Sequence, residues 1–152
     1  MNLQMEINSL KQRIAELEEQ AKEEQKFPQV GDTYWRIDDK GSVDNNFYND
    51  YYTDNHRQAI GNFFQTKQQA EFTVEKLKVE AELRKFSRPF EYGKFNHYLF
   101  LDIDGDSFRT DVTSYCPPQG AIYFESEEKT QEAVSVVGKE RIKKYIFGVE
   151  DL

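Results

Sequence analysis

Leu3, Ile7, Leu10, Ile14, Leu17 and Ala21 follow one another in steps of four, three, four, three and four residues. A mean step of about 3.5 keeps one seam of a helix apolar. Reading each three-residue step as a to d puts Ile7 and Ile14 at a, and Leu3, Leu10 and Leu17 at d. β-Branched residues at a with Leu at d favour two parallel strands. The flanks agree: Glu6 at g meets Lys11 at e across a parallel seam, and Arg13 at g meets Glu18 at e. The expectation is a coiled-coil helix over residues 1–26 that joins two copies through Leu3, Ile7, Leu10, Ile14 and Leu17. The same stripe also fits a helix folded back on its own domain, an antiparallel pair or a heteromeric coiled coil. Pro28 ends the helix by Gln25 to Phe27.

Beyond this joint the pattern changes from period 3.5 to short alternating runs. Tyr34 to Ile37 reads as a strand, Asp38 to Gly41 as a turn, and Ser42–Val43 as the return, giving a hairpin over about residues 33–47. Asn45 to Asn55 has no clear period and reads as a loop or irregular strand. Ala59 to Gln65 reads as a short strand. Thr66 with Gln69 forms a capping box, opening a helix that runs to about Phe86 and stops before Pro89. Two apolar stripes mark that helix: Ala70, Val74, Leu77, Ala81 and Phe72, Val79, Leu83, Phe86. A turn at Glu91 to Lys94 leads to a second hairpin, His97 to Ile103 and Ser107 to Tyr115, turning at Asp104-Gly105. After Pro117-Pro118, Gly120 to Phe124 reads as a short strand. Ser126 caps a helix with Val134 and Val137 facing inward, Gly138 breaks it, and Lys139 to Phe147 forms a last one.

The two halves share a grammar of hairpin, linker, short strand and capped helix. Asp38 aligns with Asp102, Gly41 with Gly105, Phe64 with Phe124, Thr66 with Ser126 and Val74 with Val134. The expected fold class is therefore α+β. A coiled-coil helix is followed, over 27–152, by a domain of two similar βββα units, about 33–88 and 95–148.

Composition narrows the function. Lys and Arg number 20 against 28 Asp and Glu, a formal charge of −8 in 152 residues. Phosphate contacts need concentrated Lys and Arg, so direct nucleic-acid binding is not expected. A partner with a basic surface is, although acidity also serves plain solubility. Aromatic residues make up 14%, too many for a disordered chain. The single cysteine, Cys116, forbids an internal disulfide and fits a reducing compartment. The charged N-terminus lacks the apolar core of a signal peptide, and no run approaches a membrane span, so a cytoplasmic protein is expected.

No catalytic constellation stands out. Asp102-Ile103-Asp104-Gly105-Asp106 begins like a calcium loop, but positions six and twelve are Ser107 and Thr113, so a hairpin turn with solvated acids is expected. His56 and His97 lack a His or Cys at ligand spacing, so neither metal nor other cofactor is expected. Cys116 lacks an oriented base and is expected as a buried or half-buried thiol. Arg84, Lys85 and Arg88, interleaved with Phe86 and Phe90, form either a small stacking patch or a cationic helix end. Asp44, Tyr48, Asp50, Tyr51, Tyr52 and Asp54 make an acidic, tyrosine-rich stretch, the candidate partner-binding surface.

The segment Gly61-Asn62-Phe63-Phe64-Gln65-Thr66-Lys67-Gln68-Gln69-Ala70-Glu71-Phe72, continued by Val74-Glu75-Lys76-Leu77-Lys78, and the segment Ile122 to Glu150 carry a likeness. They resemble a group of small proteins encoded by phages and prophages of Gram-positive bacteria, over most of residues 31–151. The resemblance implies phage origin and action in the cytoplasm of a bacterial host, and transfers no catalytic residue. By analogy of genome context, such small acidic proteins include inhibitors of host defence, among them anti-CRISPR proteins. The functional expectation is a non-enzymatic interaction protein that blocks a host protein stoichiometrically, such as a nucleic-acid-handling defence nuclease. Two alternatives remain: a structural or regulatory phage module assembled by its coiled coil, and a binder of a small ligand such as a nucleotide.

Overall fold

Nine elements follow one another among the residues the computed structural model describes, 2–24, 26–104 and 106–150. They are α1 (Leu3–Glu24), β1 (Thr33–Ile37), β2 (Val43–Phe47), α2 (Tyr52–Ala59), α3 (Lys67–Arg84), β3 (Asn96–Asp102), β4 (Ser107–Thr113), α4 (Glu127–Val137) and α5 (Lys139–Tyr145). The architecture is α+β, with two antiparallel two-stranded sheets, β1-β2 and β3-β4. Contacts divide the chain into two compact units, residues 1–70 and 71–152. That division falls inside α3, whereas the sequence pattern suggested a boundary at 26/27. Gln25 and Gly105, where a helix end and a turn were expected, lie outside the described residues.

The first unit is built on aromatic rings. Tyr34, fully buried on β1, stacks on Phe63 at 4.1 Å, and Phe27 and Tyr48 close on the same ring at 5.5 and 5.9 Å. The hairpin pairs Thr33 with Phe47 through Ile37 with Val43. Asp38 closes its turn by accepting from the amides of Lys40 and Ser42, and Gly41 takes the positive φ of 81° that the return requires. The expected strand at Ala59 to Gln65 is corrected. Its first residue ends α2, and only Phe64 pairs, exchanging both backbone hydrogen bonds with Trp35 at 2.8 Å. Thr66 starts the next helix two residues later, which leaves no length for a strand. The Thr66–Gln69 capping box is present in both directions, at 3.2 and 3.3 Å.

The second unit holds a hydrophobic core of Val79 and Leu83 from α3, Ala133 and Val137 from α4, Ile142 from α5, and Phe124, which precedes α4. Neither predicted α3 stripe is buried as drawn, because Leu77 and Phe72 remain 53% and 39% exposed while Val79 and Leu83 turn inward. β3 and β4 pair from Asn96 with Thr113 to Asp102 with Ser107. The predicted strand at Gly120 to Phe124 reduces to two bridges, Tyr123 with Arg88 and Phe124 with His97. Ser126 then caps α4, accepting from the amide of Lys129 at 3.1 Å. Gly138, at φ 103°, turns the chain into α5, and Arg141 grips Glu82 with two hydrogen bonds of 2.8 and 2.9 Å, tying α5 to α3.

Candidate functional site

The acidic, tyrosine-rich stretch spans the second strand of the first hairpin, the connection after it and the opening turn of α2. Six residues were expected to face a partner, and they divide into two groups. Asp44 is exposed and pairs with Arg36 at 3.3 Å. Asp50 is exposed with φ 58°, a left-handed conformation that a short polar side chain tolerates. Its carboxylate accepts from the Tyr48 hydroxyl at 3.1 Å and from Asn55 at 3.0 Å. Tyr51 and Tyr52 are 67% and 80% exposed, and the Tyr52 ring meets His56 edge-on.

Tyr48 and Asp54 behave differently. The Tyr48 ring packs against Phe63 and is half-buried. Asp54 is buried, which corrects its place on the surface. Its carboxylate accepts from the Tyr34 hydroxyl at 2.6 Å and from the amides of Asn49 and Tyr51 at 3.0 and 3.3 Å, while Arg57 donates to the same hydroxyl at 2.8 Å. The Tyr34 hydrogen bond, chiefly, holds the Asp54 carboxyl below the usual range. Burial, then the anionic neighbour, pushes the Tyr34 phenol up. This pair therefore locks α2 to β1 and supports the exposed tyrosines. It does not present a charge to a partner.

Sequence reasoning missed several exposed apolar residues: Phe47 and Ile60 beside the tyrosines in sequence, and Tyr92, Phe95 and Tyr115 in the second unit. Tyr92 and Tyr115 meet edge-on at 5.0 Å. Period counting does not register single exposed rings, so no signal in the sequence set these residues apart.

The cationic cluster is not one surface. Arg88 is engaged in its own loop, donating to Asn96 at 2.8 Å and to the carbonyls of Pro89 and Phe95 at 3.0 and 2.8 Å. Arg84 is exposed and borders a cavity of about 260 Å³ in the second unit, lined also by Leu83, Tyr98, Leu99, Ile122 and Phe147. Glu80 lines the same cavity, so its wall is apolar with one cation and one anion at the rim. Cys116 is exposed, correcting the expectation of a buried thiol. Two of the three acids of the expected solvated turn are countered: Asp102 by Arg109 at 3.1 Å, and Asp106 by Lys143 at 2.8 Å and Lys139 at 3.6 Å. Among the described residues no group of three His, Cys, Asp or Glu could hold a metal ion, and no helix is long and apolar enough to cross a membrane.

In α1 the seam residues Leu3, Ile7, Leu10, Ile14 and Leu17 all lie on the surface, and no described residue of the helix is buried. The helix thus does not fold its stripe onto the rest of the first unit. No protein-family model, curated protein or solved structure matches the chain.

Proposed function

We propose that this chain is a non-catalytic interaction protein whose first unit binds a basic surface on another protein stoichiometrically. The observation that carries the reading is the exposure of Tyr51 and Tyr52, at 67% and 80%, on a scaffold locked beneath them by Asp54 and Tyr34. Tyrosine gives large contact area at low entropy cost, and a rigid support reduces what must be ordered on binding. Charge supports the sign of the partner. Residues 27–66 hold six aspartates and no glutamate, against Arg36, Lys40 and Arg57, and Arg36 and Arg57 already have partners. A surface that normally receives nucleic acid is the natural complement. The phage resemblance supports a host defence protein as the target, in an anti-CRISPR-like role.

The reading includes a body made of two similar units. Its support is that a Phe two residues before a hydroxyl cap bridges to the first strand of a hairpin twice, Phe64 to Trp35 and Phe124 to His97. α2 occupies the linker of one and has no counterpart in the other.

A plasmid-interference assay against a panel of defence nucleases tests the proposal. Protection is expected for at least one nuclease at equimolar inhibitor, and is lost in the folded Tyr51→Ala/Tyr52→Ala variant. Protection against none overturns the reading. The cavity beside Arg84 favours a second reading, a small-ligand binder. A thermal shift with a set of apolar acids and nucleotides would support it.

A further inference from the structure

We infer that α1 pairs with α1 of a second copy of this chain, as a parallel, in-register two-stranded coiled coil. The inference does not rest on the proposed target, because it uses a different surface.

The first support is the state of the seam. Ile7 at a is 39% exposed and Ile14 55%, while Leu3, Leu10 and Leu17 at d are 75%, 59% and 47% exposed. Five large aliphatic residues on one helical face, with no covering segment of their own unit among the described residues, call for another cover.

The second support is charge, which selects both the occupant and its direction. In a parallel pair of identical helices, g of one heptad faces e of the next heptad on the partner. Glu6 then meets the other copy's Lys11, and Arg13 meets the other copy's Glu18. Two-fold symmetry makes each contact twice, and all are attractive. An antiparallel pair that overlaps the whole seam sets Ile7 against Leu17 and Leu10 against Ile14, centred on Gln12. Flanking positions then meet their own kind, Lys11 against Lys11 and Arg13 against Arg13. The remaining flanks pair Gln4 with Glu18 and Glu6 with Gln20, which offset nothing. The Arg13–Glu16 pair within one helix, at 3.3 Å, is exposed and weak beside this difference.

The third support is the exit from the helix. Gln29 donates to the carbonyl of Glu23 at 2.6 Å, and Phe27 packs on Phe63 in the first unit's aromatic core. The end of α1 is thereby joined to the rest of the first unit, so paired helices deliver two first units from the same end. Each carries Tyr51 and Tyr52, and a target with two neighbouring sites would be held with an avidity above that of one copy.

Sedimentation equilibrium on the full chain, over a series reaching high micromolar concentration, tests the pairing. The expected mass is twice the 18.0 kDa of one chain. Ile7→Asp/Ile14→Asp is expected to sediment as one chain, with the near-ultraviolet signal of its aromatic core unchanged. Direction is read from Leu3→Cys in a Cys116→Ser background, held in a glutathione buffer. Parallel pairing cross-links the copies, and Ile7→Asp/Ile14→Asp added to it abolishes the cross-link. A single-chain mass throughout overturns the inference, since the cover is then a different partner. So does a mass above two chains, a dimer that survives the double substitution, or a dimer that fails to cross-link at position 3.

Discussion

The phenol of Tyr34 donates a 2.6 Å hydrogen bond to the carboxylate of Asp54, across twenty residues of sequence and inside the first unit. Around that bond sit the amides of Asn49 and Tyr51, just ahead of α2, and the guanidinium of Arg57. Removing the carboxylate leaves Tyr34 facing a cation and strands two amides. Asp54→Ala is therefore expected to cost about 3 kcal/mol of stability, because buried groups lose partners they cannot replace with water. Tyr34→Phe keeps both amide bonds and is expected to cost about 1–2 kcal/mol. Urea unfolding of the two variants checks the order; an Asp54→Ala cost no larger than that of Tyr34→Phe would contradict the geometry.

Acid should weaken the fold more than its neutral-pH stability suggests. Asp54, Asp106 and Glu82 all have carboxyls held low, chiefly by hydrogen bonds from Tyr34, Lys143 and Arg141 respectively. A carboxyl whose folded value lies below its unfolded one contributes fully above the unfolded value, about 3.9 for Asp and 4.3 for Glu. That contribution is lost as pH falls through the folded value. The Tyr34 phenol is raised, so its contribution is present below about pH 10 and lost as pH climbs through the folded value. Urea midpoints are expected to be flat near neutrality, to drop below about pH 5, and to drop less steeply in Asp54→Asn. Equal acid slopes in both proteins would remove Asp54 from the account.

Where local pattern decided the outcome, it could be read in advance. The first hairpin spans Thr33–Phe47, the Thr66 and Ser126 caps open their helices, and Gly138 breaks the last two apart. These depend on turn chemistry within a few residues. α2 was missed because its eight residues, Tyr52–Ala59, carry no apolar stripe. It is held by Asp54 and Arg57 reaching back to Tyr34, a contact between residues distant in sequence. For the same reason Asp54 could not be told from the exposed Asp50 four residues earlier. The third strands shrank to isolated bridges, one at Phe64 and two at Tyr123 and Phe124, because Phe64 and Phe124 each sit two residues before a helix cap. Arg88 was expected in a stacking patch or at a cationic helix end because nothing in the sequence announces its bond to Asn96.

That asparagine is a further test. Asn96 is fully buried, and its amide accepts from Arg88 and from the amide of Glu91 while donating to the carbonyls of Glu91, Lys94 and Thr113. It closes the loop between α3 and β3. Asn96→Ala is expected to cost about 2–4 kcal/mol. Asn96→Asp is expected to be at least as harmful, because a carboxylate replaces the NH₂ donor and faces three carbonyl oxygens. Thermal melts of both variants check this; a harmless Asn96→Asp would mean the loop closes without the donor.

Charge exchange on α1 separates the two directions of pairing without touching the apolar seam. Lys11→Glu with Arg13→Glu turns each of four attractive flanking contacts of the parallel pair into a repulsive one. Exposed ion pairs contribute about 0.3–0.5 kcal/mol each, and like-charge pairs cost similar amounts. Reversal therefore weakens pairing by about 2–4 kcal/mol, on the order of thirtyfold or more in Kd. Adding Glu6→Lys and Glu18→Lys restores complementarity with every sign inverted, and pairing should return to near its original strength. In the antiparallel alignment Lys11→Glu with Arg13→Glu merely replaces cation–cation contacts by anion–anion ones, so Kd would hardly move. Sedimentation at low ionic strength measures the difference, and raising the salt should shrink it as exposed charges are screened. A double variant that pairs as tightly as the parent would remove the parallel register.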